Sequence, residues 1–343
     1  MDNGSSDYGD WEQSTLVIVQ IWNHASFIVG VSGNMFLLYA TVFHKALKID
    51  GLSVWIVQNL ALADLLNCVF VLGVVLVSFD SGRQWVFGEG ACTLVGLFYQ
   101  VPLSANVFLL CALSVNKLLR CLFPFRFMVT TKRAKITISA VAGFLSLTSV
   151  FYKALEIWVT GYLFPAFNNR DGICIMQTNS SIALDLTKTV PSAILMGLFT
   201  IISSLVLVVT NIAMVVFAAR KTTSQRGVNR RNLLVLAIVS AAFVLSILPI
   251  IYTRVLRAAF KIRLNPRYRA LGFFWSFINA WINPIIHMAS SSSLRKFTGG
   301  IARRLARRTR TALVSPFTAE IELHVGTARS TLGAHEKYRN TGI

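Results

Sequence analysis

A chain of 343 residues has room for two soluble domains, but 55% of it is hydrophobic and only 14% is charged, with a mean hydropathy of +0.62. Soluble domains carry about a quarter charged residues and disordered chains are poor in apolar ones, so both classes are excluded. The net charge of +19, from 33 Lys and Arg against 14 Asp and Glu, would suit a nucleic-acid binder; on so apolar a chain it points to a membrane protein with one basic face.

The chain opens on an acidic segment (Asp2, Asp7, Asp10, Glu12) without the basic start of a cleavable signal, so the first helix is expected to act as the insertion signal. A bilayer core about 30 Å thick needs about 20 apolar residues per spanning helix. Runs of that kind follow one another: Leu16–Phe43; Leu52–Phe79, whose one ionisable residue is Asp64; Ala91–Asn116; Ile136–Tyr152, extending toward Trp158; Thr189–Ala219; Asn232–Thr253; and Ala270–Ser293. Only helices and closed barrels satisfy the backbone in lipid, and the period-2 alternation of a barrel is absent. Next, Leu294, Phe297, Ile301 and Leu305 recur at spacings of 3, 4 and 4, with Arg295, Lys296, Arg303, Arg304, Arg307 and Arg308 on the other face. This predicts an amphipathic helix on the inner leaflet, with a calmodulin-type target as the alternative. No cysteine follows it, so charge rather than a palmitoyl chain must hold it down. The expected layout is an extracellular segment 1–15, a bundle 16–293, an eighth helix 294–310 and a flexible cytoplasmic tail 311–343. The fold class is all-α integral membrane: a seven-transmembrane helix bundle with a short amphipathic eighth helix.

Charge sets the orientation. With the N-terminus outside, the inner segments hold 23 Lys and Arg against four acids, so the whole net charge of +19 lies on the cytoplasmic side. Two sequons, at Asn3 and Asn179, then fall outside and are candidate glycosylation sites. The chain ends Thr341-Gly342-Ile343, similar to a PDZ-domain ligand read by strand addition and carboxylate capture. Thr309, Thr311, Ser315 and further tail hydroxyls are candidate phosphorylation sites that would weaken electrostatic attachment.

Seven short motifs occur in order along the chain, on five of the seven spans and just beyond the last: Gly33-Asn34; Asn59-Leu60-Ala61-Leu62-Ala63-Asp64; Cys92; Ser114-Val115; Phe243 with Pro249; Asn279 with Asn283-Pro284; and Phe297. Together they resemble the signatures of class A (rhodopsin-like) G-protein-coupled receptors over roughly residues 15–310. The departures fall on switch positions. Asn116-Lys117-Leu118 stands where the family has Asp-Arg-Tyr, Ser246-Ile247 where it has Cys-Trp, and His287 where NPxxY ends in Tyr. Gly143 replaces a fourth-span Trp, and Ser203 and Asn211 replace a Pro and a Tyr.

The resemblance implies site residues. A disulfide between Cys92 and Cys174 would fasten the second outer loop to the third span in an oxidising compartment; Cys68, Cys111 and Cys121 would stay reduced. Asn34, Asn106, Asn279 and Asn283 would surround Asp64, whose ionised form costs roughly 2.5–3.5 kcal/mol in a span and needs partners. Amides with one carboxylate suit Na⁺ or a proton; a protonated Asp64 in a purely structural network is the alternative. The ligand cavity would be lined by Tyr99, Leu103, Ile247, Ile250, Arg254, Phe273 and Phe277. Tyr99 stands where amine receptors carry an Asp, and Phe277 where opsins attach retinal, so neither ligand is expected. Arg254 lies two helical turns beyond Ile247 on the same face, and Arg257 follows. With Lys261, Arg263, Arg267 and Arg269 they make a basic rim that would attract an acidic peptide, lipid or nucleotide. The alternative is pairing with Asp171, Asp185 or the acidic N-terminus.

Asn116, Lys117, Arg120 and Pro124 fall where the family meets its G protein. Lysine keeps the charge but not the planar fork of arginine. Arg230 and Arg231 at the base of the sixth span offer no acid, so no resting ion pair is expected there. Alternatively, Lys117 reaches the inner headgroups. The sequence therefore predicts a plasma-membrane receptor that binds an extracellular ligand and signals to a heterotrimeric G protein, with arrestin, membrane lipid and a PDZ protein as further partners and Na⁺ at Asp64 as the one candidate ion. The competing reading is a seven-helix receptor without G-protein output: scavenging, arrestin-biased or heteromer-forming. A transporter would want internal repeats. No phosphate loop, Cys/His metal spacing or Ser–His–Asp set marks an enzyme, and nucleic acid is not needed to explain the charge.

Overall fold

The computed structural model of the chain describes residues 13–44, 51–82, 84–122, 131–155, 163–168, 173–178, 202–203, 205–216, 230–260, 266–291, 293–304, 306–307 and 309. The first span is α1 (Gln13–Val42). The second is α2 (Gly51–Asn67), a π-helical turn over Cys68–Leu72, and α3 (Gly73–Asp80). The third is α4 (Gly88–Phe98) and α5 (Gln100–Leu122), which meet at Tyr99 in helical conformation. The fourth is α6 (Thr131–Leu155), and the described part of the fifth is α7 (Leu205–Val216). The sixth is α8 (Arg230–Phe260), and the seventh is α9 (Pro266–Ser276) with α10 (Ile278–Ser290).

Polarity is inverted relative to a soluble protein. Asn23, Asn34, Ser53, Asp64, Ser78, Ser114 and Ser240 are fully buried, whereas Ile18, Phe144, Leu147, Leu205 and Leu245 are exposed. That is the arrangement a lipid solvent selects, since polar groups must find partners inside and apolar ones need not hide. Among the described residues three helices are long and apolar enough to cross a membrane (Ser14–Val42, Gly51–Asp80 and Gly90–Arg120), with shorter apolar stretches at Leu205–Val216 and Ala237–Pro249.

Close approach explains two glycines of α1. A Cβ on Gly33 would lie 2.9 Å from Pro284 Cγ, and one on Gly30 would lie 2.5 Å from Cys68 Sγ. Small residues thus let α1 seat against α10 and the second span, where packing rather than hydrophobicity drives association. At one end α1 is also pinned to α3: Gln20 Nε2 donates to Asp80 Oδ1 at 2.9 Å, and His24 Nε2 lies 3.2 Å from Asp80 Oδ2.

Three features differ from the sequence expectation. The π turn gives the second span one extra residue just after Asp64: Gly73 N–H bonds the Cys68 carbonyl five residues back, which turns α3 relative to α2. The sixth span runs past Thr253 to Phe260, because Arg254 and Arg257 end the apolar run without ending the helix. The all-helical reading also gains a hairpin. Strand β1 (Leu163–Asn168) pairs antiparallel with β2 (Ile173–Thr178), Phe167 opposite Cys174, and both pack against α4. The four residues between them, Asn169-Arg170-Asp171-Gly172, carry the Asp-Gly hairpin signal.

The described residues from 293 onward belong to a separate unit. Its helix α11 (293–304) exposes Arg295, Lys296, Arg303 and Arg304, with Phe297 and Ile301 half-buried.

Candidate functional site

At mid-depth the second, third and seventh spans meet on Asp64. Asn106 Nδ2 donates to Oδ1 at 2.6 Å, Asn279 Nδ2 to the same oxygen at 3.4 Å, and Asn283 Nδ2 to Oδ2 at 2.9 Å. Asn283 Nδ2 also reaches Asn279 Oδ1 at 3.4 Å. Three N–H donors converge on one fully buried carboxyl group and satisfy its oxygens away from water. The amide oxygens of Asn106 and Asn283 are buried with no hydrogen-bond partner among the described residues. A carboxylate and spare carbonyl-type oxygens are the ligand chemistry of a small hard cation, so this set fits Na⁺ in kind.

Asn34, expected in the same shell, bonds elsewhere. Its Nδ2 donates to Gly30 O at 2.8 Å and to Ala280 O at 2.6 Å. Ala280 is four residues before Pro284, which has no N–H to offer, so Asn34 supplies the donor that proline removes. The sequence showed a polar residue on α1; the acceptor it serves is a tertiary fact.

Nearer the hairpin end, Tyr99 and Phe273 are partly buried and Phe277 is fully buried. Ring centroids lie 5.4 Å apart for Tyr99–Phe273, 6.4 Å for Tyr99–Phe277 and 5.1 Å for Phe273–Phe277. Leu103 is half-buried one turn along α5, and Ile247 is buried on α8. The side chains of Ile250, Arg254 and Arg257 lie outside the described residues, as do Lys261 and Arg263. Tyr99 Oη sits 3.1 Å from Ser276 Oγ.

Toward the opposite end, Ser114 Oγ and Ser240 Oγ lie 3.5 Å apart, joining the third and sixth spans, and Cys111 Sγ donates to Ser203 O at 3.4 Å, joining the third and fifth. Fully buried Phe243 is on the same segment of α8 as Ser240. At the end of α5, Asn116 Nδ2 donates to Ser53 Oγ at 3.2 Å while its Oδ1 accepts from Arg120 Nε at 3.3 Å. The Ser53, Ser240, Cys111 and Ser276 contacts were absent from the sequence expectation, because single hydroxyls and thiols in apolar runs carry no motif. Lys117 is partly buried, and Pro124 lies outside the described residues. Cys92 is buried and disulfide-bonded, while Cys68 and Cys111 are free. Cys174 lies in β2 with its side chain outside the described residues, as is that of Cys121; Asn3, Asn179 and the tail from 310 onward also lie outside.

The comparisons agree with this geometry. The sequence model of the 7 transmembrane receptor (rhodopsin family) matches residues 33–287. The chain is 26% identical over 318 residues to the C5a anaphylatoxin chemotactic receptor 1 of Cavia porcellus, covering 89% of this chain and 85% of that one. It is 24% identical over 310 residues to a purinoceptor of Homo sapiens, covering 84% and 78%. In fold it superposes on squid rhodopsin with a TM-score of 0.68 at 18% identity, over 86% of this chain and 87% of that one. With the inverted polarity of the bundle and the Asp64 knot, these matches establish that the chain belongs to the rhodopsin family of seven-transmembrane receptors.

Proposed function

We propose that this receptor binds an extracellular ligand among the outer halves of its spans and passes the signal to a heterotrimeric G protein by helix rearrangement. The observation that carries the reading is the amide–carboxylate knot at Asp64, which ties three spans together two helical turns along α5 from the Tyr99 cluster. Its bonds are few and directional, so two discrete arrangements are available to be biased by a ligand. Na⁺ would be held by Asp64 with Asn106 and Asn283, supplying a positive charge that favours one arrangement.

The hairpin end is the extracellular one in this reading. The Lys and Arg asymmetry favours the other end as the cytoplasmic one, an orientation that leaves both sequons outside, and disulfide-bonded Cys92 lies on α4 against the hairpin, whose Cys174 is its expected partner. The plasma membrane is the location, with arrestin, inner-leaflet lipid and a PDZ domain as further partners of the basic helix and tail. The cations from Arg254 to Arg269 support an acidic ligand. One similar receptor is named for the C5a anaphylatoxin and another as a purinoceptor, so the screen spans acidic peptides and purine nucleotides.

A second reading, a receptor without G-protein output, is favoured by Asn116, a neutral residue where the family carries an acid, whose amide is engaged locally by Ser53 and Arg120. Recruitment assays on the full chain separate the two. We expect G-protein recruitment that falls at least about tenfold in Lys117→Ala, the scale of a lost charge-assisted hydrogen bond. Arrestin recruitment alone, unmoved by that substitution, would sink the first reading in favour of the second.

A further inference from the structure

Pro249 lies inside α8, which stays helical from Arg230 to Phe260. A proline has no N–H, so the carbonyl four residues earlier, that of Leu245, loses its helical donor. Leu245 is on the lipid-facing side of the helix, where no water replaces that donor. The indole Nε1–H of Trp275, on α9, donates to Leu245 O at 3.2 Å. Trp275 is 47% exposed, so this bond also lies on the lipid side. The pattern repeats the one at Pro284, whose freed carbonyl at Ala280 takes Asn34.

The next residue faces the other way. At Phe277 the seventh span tightens: Phe277 N–H bonds Phe274 O at 3.2 Å, three residues back. The Phe273 carbonyl is thereby left without its usual donor, and Ser276 Oγ donates to it at 2.6 Å. Since the Ser276 proton goes to Phe273, its oxygen must accept from Tyr99, 3.1 Å away, so the phenol is the donor. Two consecutive residues of α9 therefore serve two different freed carbonyls. Trp275 closes the gap in the sixth span, and Ser276 closes the gap in its own and takes up Tyr99 of the third.

We infer that Trp275 and Ser276 form a two-sided brace through which Tyr99, in the outer aromatic cluster, governs the geometry of α8 around Pro249. This deepens the receptor reading above and rests on it for its biological meaning. It also supplies what Ile247 does not: α8 carries no large ring there, so the position of its inner half is set from the seventh span. A ligand that takes the Tyr99 hydroxyl away from Ser276 frees Ser276, loosens the tight turn and shifts Trp275 on the Leu245 carbonyl.

The test reads helix position without any ligand or transducer. Nitroxide labels at L122C, on the end of α5, and L234C, near the start of α8, are introduced into the full chain with C121S, and their separation is measured in nanodiscs. Trp275→Phe keeps the ring and removes the donor; it should change the ratio of the two distance populations by about threefold, the scale of one interhelical hydrogen bond in a membrane. Pro249→Ala restores the backbone N–H to Leu245 O, so in that background Trp275→Phe should change nothing. Tyr99→Phe and Ser276→Ala should shift the ratio in the same direction as Trp275→Phe and be less than additive with each other. An unchanged ratio in Trp275→Phe, or an equal shift with and without Pro249, overturns the brace. The two readings fail separately: a shifted ratio without G-protein recruitment sinks the receptor reading alone, and recruitment with an unshifted ratio sinks the brace alone.

Discussion

At the scale of single residues, the decisive group is Asp64. A buried carboxylate has about four acceptor directions, and three amide N–H groups fill three of them. Asn279 and Asn283 were readable beforehand because they sit on a family motif at fixed spacing, whereas Asn106 lies on no motif and was expected only from the resemblance as a whole. Which atom of each amide faces the carboxylate was not, because both ends of an Asn look alike in sequence. The spare oxygens of Asn106 and Asn283 give the ion hypothesis a sharp consequence. Replacing choline by sodium at constant ionic strength should raise the melting temperature, with a stabilisation of about 1.4 kcal/mol once sodium exceeds its dissociation constant tenfold. Asp64→Asn should abolish the difference, and equal melting in both salts for the parent chain would dismiss the cation. Asn23 makes a contrast: it is fully buried on α1, yet both its polar atoms lack a hydrogen-bond partner among the described residues.

At the scale of elements, hydropathy located the spans but not their irregularities. An apolar run reports immersion in lipid, whereas a helix ends where its hydrogen bonds end, which is why α8 continues through Arg254 and Arg257. The π turn after Asp64 has no signal within Cys68–Leu72, which contains neither Gly nor Pro. The missing N–H groups of Pro249 and Pro284 are legible in the sequence, but the donors that serve the freed carbonyls come from other helices. This makes Asn34 testable as a repair residue. Asn34→Leu leaves the Ala280 carbonyl bare and should destabilise the receptor by about 1–2 kcal/mol in detergent. In a Pro284→Ala chain, whose backbone supplies the missing N–H, the same substitution should lose much less. Identical losses in both backgrounds would show that Asn34 acts through packing instead.

For the whole molecule, the net charge of +19 on an apolar chain is the expected mark of topology, since the proposed orientation gathers the excess on one side of the bilayer. Part of it lies on α11, where Arg303 and Arg304 are exposed on the polar face, and Arg307 just beyond it is exposed too. Each basic residue near an anionic leaflet contributes about 1 kcal/mol, so changing all three to Gln should weaken membrane attachment of this segment roughly a hundredfold. Amide exchange over residues 294–310 in nanodiscs should report this as lost protection, and only where the lipid is anionic. Protection indifferent to lipid charge would remove electrostatics as the anchor. The sequence by itself determined the solvent, the number of spans and the polar residues at their centres, because hydropathy and motif spacing are local properties written along the chain. Only the tertiary structure decided who completes whom: Asn34 for Pro284, Trp275 for Pro249, Ser276 for the tight turn at Phe277. Those pairings depend on which helices meet and at what depth, and a carbonyl freed in lipid takes whichever donor the fold brings to it.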